Sequence, residues 1–336
     1  MTPFEVRRFV AAFRRVPSCR CCTWGFWAES SNVGGNVRLS ALSFLLLLCA
    51  ALPHYANAQL PALQSAAMLD CSGLPCVDAT LANGKHLRLL VDTGNVNSAL
   101  DTEAATEAGL TVTPVNRSDG KLAGYGRSVL PGVKLGEGSL GDLRVLVLEL
   151  SDYVKRDRMP AADGTIAYTA FKDRLLQLDY VHHIVRFSQP LTASLPCPGF
   201  CAYLTTPTFG KNGPPIIVST GFSVNGEPVT AQIDTMFTGT MLIYPTSIEK
   251  LALTSESQTL KKQFFKYTDD GVDMLEAQAA TESFGERVLA KDAPLFFATP
   301  SAHLPDGLFD ATVGHALFEH SVLSLNFHDM TLWLSD

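Results

Sequence analysis

The sequence has no apolar run suited to crossing a bilayer as a helix: residues 39–52 (LSALSFLLLLCAAL) are uncharged but only 14 long, against the ~20 residues a span requires. It has no excess of positive charge either, with 26 Lys and Arg against 33 Asp and Glu, which excludes a basic nucleic-acid binder. With 25 Gly and 19 Pro in 336 residues, it is neither collagenous nor low in complexity, and a long coiled coil is excluded too. Several catalytic signatures are missing. There is no H-E-x-x-H, no G-x-S-x-G, and the Gly-rich stretch Gly120-Lys121-Leu122-Ala123-Gly124-Tyr125-Gly126 lacks the G-K-[ST] ending of a phosphate loop. His182, His183, His315, His320 and His328 share no metal-ligand spacing and read as surface or loop histidines.

What is present begins with a leader. Arg38 precedes the short apolar run, and Ala56-Asn57-Ala58 follows it as a small-x-small end, so residues 1–58 read as a leader with a signal peptide cut after Ala58. The expected location is therefore extracytoplasmic, periplasmic or secreted, without a membrane span once the signal is cut. Beyond Ala58 the chain carries 20 basic and 31 acidic residues, a formal net charge of −11, which repels nucleic-acid phosphates. Four cysteines remain there: Cys71, Cys76, Cys197 and Cys201. An even number behind a secretory signal points to disulfides. Pairing Cys71 with Cys76 and Cys197 with Cys201 closes two short loops; a zinc site on C-x4-C plus C-x3-C is the alternative, although the usual spacing and a flanking His are missing.

The chain repeats itself. Asp163–Phe187 aligns over Asp310–Leu334 for 25 positions without a gap. Asp163/Asp310, Thr165/Thr312, Phe171/Phe318, Leu176/Leu323 and Leu178/Leu325 are identical. Upstream, Leu89–Leu100 aligns with Ala231–Leu242, again without a gap, and places Asp92-Thr93 over Asp234-Thr235. The two Asp residues are 142 apart and the later blocks 147 apart. Two homologous lobes follow, 72–190 and 214–336, with 191–213 as a Pro- and Gly-rich linker. Each lobe reads as mostly β, from short runs such as Val77–Leu81, Leu87–Val91, Leu143–Leu150 and Ile184–Phe187 bounded by turn residues. Asn83-Gly84 and Asn225-Gly226 have hairpin-turn chemistry, and Thr102–Gly109 and Pro245–Leu251 are short helical candidates.

One Asp from each half of a duplicated fold suggests a carboxyl pair. Two carboxylates about 3 Å apart do not both ionise, so one stays protonated and the pair acts as acid and base on a water held between them. Thr93 and Thr235 would lock the two loops, Gly94 would admit a close backbone N–H, and Ser98 and Thr240, each six residues after its Asp, would orient the outer oxygens.

Val91-Asp92-Thr93-Gly94 with Ser98, and the later Thr312-Val313-Gly314, resemble the motifs of the aspartic peptidases, the pepsin-like and retropepsin-like group. The resemblance covers nearly the whole chain after the leader, in two copies. It implies two β-barrel lobes with a cleft between them, catalysis by Asp92 and Asp234 without cofactor or metal, a peptide or protein substrate, and a monomer. It also implies a substrate-covering hairpin, for which Gly124-Tyr125-Gly126 is the natural tip, with Tyr125 against substrate. Two positions depart from the pattern: Met236 stands where the family has Gly, and Ala167 where the later element has Gly. Met236 motivates an alternative, a peptide-binding protein that kept the cleft and lost the chemistry.

Overall fold

The computed structural model describes residues 61–71, 73–116, 122–150, 162–208, 214–248, 250–251, 261–265, 272–298 and 308–336. The expected leader and its cleavage point after Ala58 lie outside the described residues. No helix among the described residues is long and apolar enough to cross a membrane.

The first half runs β1 (Leu63–Ala67), β2 (Leu69–Cys71), β3 (Leu74–Thr80), β4 (His86–Asp92), β5 (Ser98–Asp101), helix α1 (Thr102–Glu107), β6 (Thr113–Asn116), β7 (Leu122–Leu135), β8 (Gly138–Leu148), β9 (Gly164–Ala167), a 3-10 turn at Tyr168–Phe171, β10 (Leu175–Asp179) and β11 (Ile184–Ser188). The second runs β12 (Ala202–Thr205), β13 (Val218–Val224), β14 (Glu227–Ile233), β15 (Met241–Ile243), α2 (Pro245–Ile248), β16 (Lys261–Phe265), β17 (Val272–Phe284), β18 (Arg287–Ala298), β19 (Ala311–Val313), a 3-10 turn at His315–Phe318, β20 (Val322–Asn326) and β21 (Thr331–Ser335).

The two orders match strand for strand, as the repeat requires. In the first half β3-β4-β9-β5-β8-β7 lie side by side and the β3–β7 pairing closes them into a barrel of six. In the second, β13-β14-β19-β15-β18-β17 close through β13–β17 in the same way. The fold is thus mostly β with two homologous closed barrels, the expected pepsin-like lobes.

Local chemistry explains several joins. Asn225 and Gly226, with φ of 51° and 84°, form a two-residue turn between β13 and β14, the geometry that Asn-Gly favours because both positions need positive φ. Asp101 caps α1 by accepting the Glu103 N–H at 2.9 Å, and Gly109, at φ 69°, ends the turn that follows.

A sheet joins the halves. In it β1-β11-β10-β20-β21-β12 are neighbours, and β10 pairs antiparallel with β20, Leu175 to Asn326 through Asp179 to Val322. Gln177 and Ser324 face each other at the middle of that pairing, and the Gln177 amide donates to Ser324 Oγ at 3.0 Å. Every residue of β10 and β20 is buried, which accounts for their near-continuous apolar runs where a half-exposed strand would alternate. The stretch read as a linker contributes β12, which pairs with β21 on one side and β13 on the other, so it is a working part of the sheet. One apolar core runs through both barrels, with Phe171, Phe187, Phe222 and Phe318 among its largest members.

Candidate active site

Asp92 ends β4 and Asp234 follows β14, equivalent strands of the two barrels. Between them stands a symmetric set of bonds. The Thr93 N–H donates to Thr235 Oγ1 at 3.1 Å and the Thr235 N–H to Thr93 Oγ1 at 3.1 Å. The Thr93 hydroxyl donates to the Ile233 carbonyl at 2.9 Å, and the Thr235 hydroxyl to the Val91 carbonyl. Both threonines are fully buried, where such bonds are costly to break because a broken one leaves an unpaired polar group. Each loop is therefore tied to the strand that carries the other's aspartate.

The carboxyls meet across Gly94. Its N–H donates to Asp92 Oδ1 at 3.0 Å, and a Cβ placed on it would lie 2.6 Å from both oxygens of Asp234. One glycine backbone thus touches both groups, and a side chain there would push them apart. Asn95 Nδ2 donates to the other oxygen of Asp92 at 2.8 Å. On the second loop the Met236 N–H donates to Asp234 Oδ1 at 2.9 Å. Burial first, then the neighbouring charge of Asp234, push the Asp92 carboxyl up to about 7, against the hydrogen bonds from Asn95 and Gly94. Burial likewise raises Asp234, opposed by the N–H groups of Met236 and Phe237. Two buried acids that face each other, both raised, favour sharing one proton over ionising together.

Residues 77–166 match the family model described as Aspartyl protease. Over that segment the chain is similar to the aspartyl protease family. The match spans β3 to β9 and so includes Asp92 and Gly94, while Asp234 enters through the repeat. None of the curated proteins matches the chain.

Several residues around the two acids differ from expectation. Ser98 Oγ accepts the Ala167 N–H at 2.9 Å and ties β5 to β9, while the outer oxygen of Asp92 goes to Asn95, whose amide reaches it from three residues along the loop. Thr240 points the other way, toward Glu282 Oε1 at 3.0 Å and the Pro294 carbonyl at 2.9 Å. Gly124-Tyr125-Gly126 is not a hairpin tip. It lies within β7, where Gly126 pairs with Pro114, because the register carries the β6–β7 hairpin on past it to the pairing of Asn116 with Leu122. Tyr125 is exposed there. The second half builds the equivalent hairpin from β16 and β17.

Met236 does not fill the gap between the carboxyls. It packs against the small cluster of Cys71, Leu74, Cys76 and Leu90 in the first half, while its N–H keeps the bond to Asp234. Cys71 bonds to Cys76 and Cys197 to Cys201. At Gly314, the position equivalent to Ala167, a Cβ would collide with the carbonyls of Phe237 and Gly239; Ala167 is fully buried, and its N–H goes to Ser98 Oγ. His315 is buried rather than superficial. Its Nδ1 lies 3.0 Å from the Phe237 carbonyl, and burial lowers its pKa first, against that bond.

Three contributors carried no sequence signal strong enough to single them out. Asn95 is a common loop residue. Gln232 donates to the Gly94 carbonyl at 3.1 Å; the clue was a polar side chain two residues before an Asp, where the first copy has Leu90. Glu282 is one acid in a strand of mixed polarity.

Proposed function

We propose that the protein is an extracytoplasmic aspartic endopeptidase that hydrolyses peptide bonds with a water activated between Asp92 and Asp234. The observation that carries this reading is the contact of both carboxyls with one residue, Gly94, beneath the reciprocal Thr93–Thr235 bonds. With one proton on the pair, the ionised carboxyl accepts a proton from the water as it attacks the scissile carbonyl, and the protonated one donates to the carbonyl oxygen. Donors from Gly94 and Asn95 favour the ionised form of Asp92, whereas burial and the charge of Asp234 favour its protonated form, so the proton belongs to the pair and each carboxyl serves as acid or base in turn. In this reading residues 72–190 and 214–336 are the lobes, the substrate is a peptide or protein lying in the cleft, and one chain supplies both acids and acts as a monomer. The two disulfides support an oxidising, extracytoplasmic location.

The non-catalytic alternative rested on Met236. Its side chain is turned to the Cys71–Cys76 cluster and its N–H still serves Asp234, so this residue gives no reason to prefer binding without chemistry. The test is cleavage of an unfolded protein by the chain beginning at Gln59, across pH 3–8. Activity is expected on the acidic side, and Asp92→Asn should lower kcat by at least ~10²-fold, as loss of one member of an acid–base pair does. Equal turnover by the variant would remove the assignment.

A further inference from the structure

Glu282 is a fully buried acid that the chemistry above does not use. It sits on β17 within the second barrel, paired with Val224 on β13 and Ala290 on β18. Its Oε2 has no hydrogen-bond partner among the described residues, and its Oε1 lies 3.0 Å from Thr240 Oγ1. The same Thr240 oxygen lies 2.9 Å from the Pro294 carbonyl. A hydroxyl has one proton to give. If Glu282 were ionised, carboxylate and carbonyl would compete for that proton, and one would stay unmet in a dry interior. If Glu282 is neutral, its own O–H donates to Thr240, Thr240 donates to Pro294, and both contacts are satisfied. Burial favours the same state, raising this carboxyl to about 7.

Thr240 closes the loop that begins at Asp234. Its carbonyl accepts the Gly314 N–H at 2.9 Å, and the Phe237 carbonyl on the same loop accepts the His315 N–H at 3.1 Å. The titratable side chains on the elements around Glu282 are few. Glu227 on β14, Glu286 in the β17–β18 turn, and Lys291 and Asp292 on β18 are exposed; Arg287 bonds Asp336 at 2.8 Å and Ser321 at 3.1 Å. β13, β15 and β19 carry no titratable residue. Among the described side chains, then, no cation lies within bonding distance of an ionised Glu282.

We propose that Glu282 is a positioning residue which, in its protonated form, fixes the Asp234 loop through Thr240 and which frees that loop when it ionises. Its effect on rate rests on the peptidase reading; its effect on the loop does not. Glu282→Gln separates the two, because an amide N–H2 donates to Thr240 at every pH. In protein labelled with ¹³C at the aspartate carboxyls, the Asp234 resonance, identified by its loss in Asp234→Asn, should report near pH 7 both its partner Asp92 and Glu282. The part due to Glu282 should be lost in both Glu282→Gln and Thr240→Val, leaving only the part due to Asp92. The decline of kcat from pH 6 to 8 should be on the order of tenfold steeper in the wild type than in Glu282→Gln, with KM following the same course in both, as for a misplaced catalytic group. Identical Asp234 titrations in wild type and Glu282→Gln would overturn the proposal. Loss of the part due to Glu282 without cleavage at any pH would uphold it and overturn the peptidase reading alone.

Discussion

Gly94 shows how much can depend on a missing side chain. Its Cα lies against the Asp234 carboxyl while its N–H holds Asp92, so a single methyl at this position, 2.6 Å from both Asp234 oxygens, must separate the two acids. Gly94→Ala is expected to cut kcat by on the order of 10²-fold, since a displacement of about 1 Å costs that much. It should also move the Asp92 carboxyl down from about 7, because distance weakens the charge of Asp234 upon it; the alkaline limb of the pH–rate profile measures this. In the sequence Gly94 was conspicuous as part of an Asp-Thr-Gly step. The roles of Ser98 and Thr240 were not legible, because a hydroxyl six residues from an Asp bonds whatever the folded loop brings nearest. In one lobe that was the Ala167 N–H, in the other Glu282.

At the level of elements, the β2–β3 hairpin reaches from the first half to the second. Cys71 and Cys76 close it, Met236 packs on it, and a Cβ on Gly73 at its turn would lie 3.3 Å from Nε2 of His315. Replacing both cysteines by Ser should lower stability by about 2 kcal/mol, the loop-closure contribution of so short a ring, read as a shift in urea midpoint. Because Met236 precedes Phe237 and follows the Asp234 step, kcat should fall while KM holds. The apolar runs foretold the positions of β3, β4 and β11 closely. They did not foretell the length of β7, β8, β17 and β18, since long bulged ladders are sustained by pairing with neighbours distant in sequence and not by local composition. The repeat itself has a structural counterpart in detail: Asp163 accepts the Arg88 N–H at 2.6 Å, and Asp310 accepts the Thr230 N–H at 2.8 Å, equivalent strands in each copy.

For the molecule as a whole, opposed carboxyl shifts set the dependence of stability on pH. Asp92, Asp234 and Glu282 are raised, chiefly by burial. The folded state holds their protons after the unfolded state has released them, so stability falls as pH rises from about 4 to about 7. Asp179, Asp310 and Asp329 are lowered. Burial pushes each of them up, but is outweighed by the His182 N–H and Arg186 at Asp179, by Lys250 and the Thr230 N–H at Asp310, and by the Leu195 N–H and Asn326 at Asp329. Their contribution is present above the ordinary Asp pKa and is lost as pH falls below it. Thermal unfolding should therefore show its highest midpoint at mildly acidic pH, between about 4 and 6, with a decline by pH 8 that Asp92→Asn reduces. A midpoint rising steadily to pH 8 would contradict the buried, proton-sharing pair.

The amino-acid sequence by itself determined that the chain is a duplicated β protein, that Asp92 and Asp234 occupy equivalent steps, and which cysteines could close short rings. These follow from local pattern and from self-comparison, and need no knowledge of packing. Only the tertiary structure decided that the two acids meet over Gly94, that Asn95 takes the outer oxygen of Asp92, that Met236 turns to the opposite lobe, and that Glu282 is sealed beside Thr240. Each of those outcomes joins residues between about 40 and 165 positions apart or depends on which of several local bonds survives burial, and the free energy that selects among them comes from excluding water once both barrels and the sheet between them have closed.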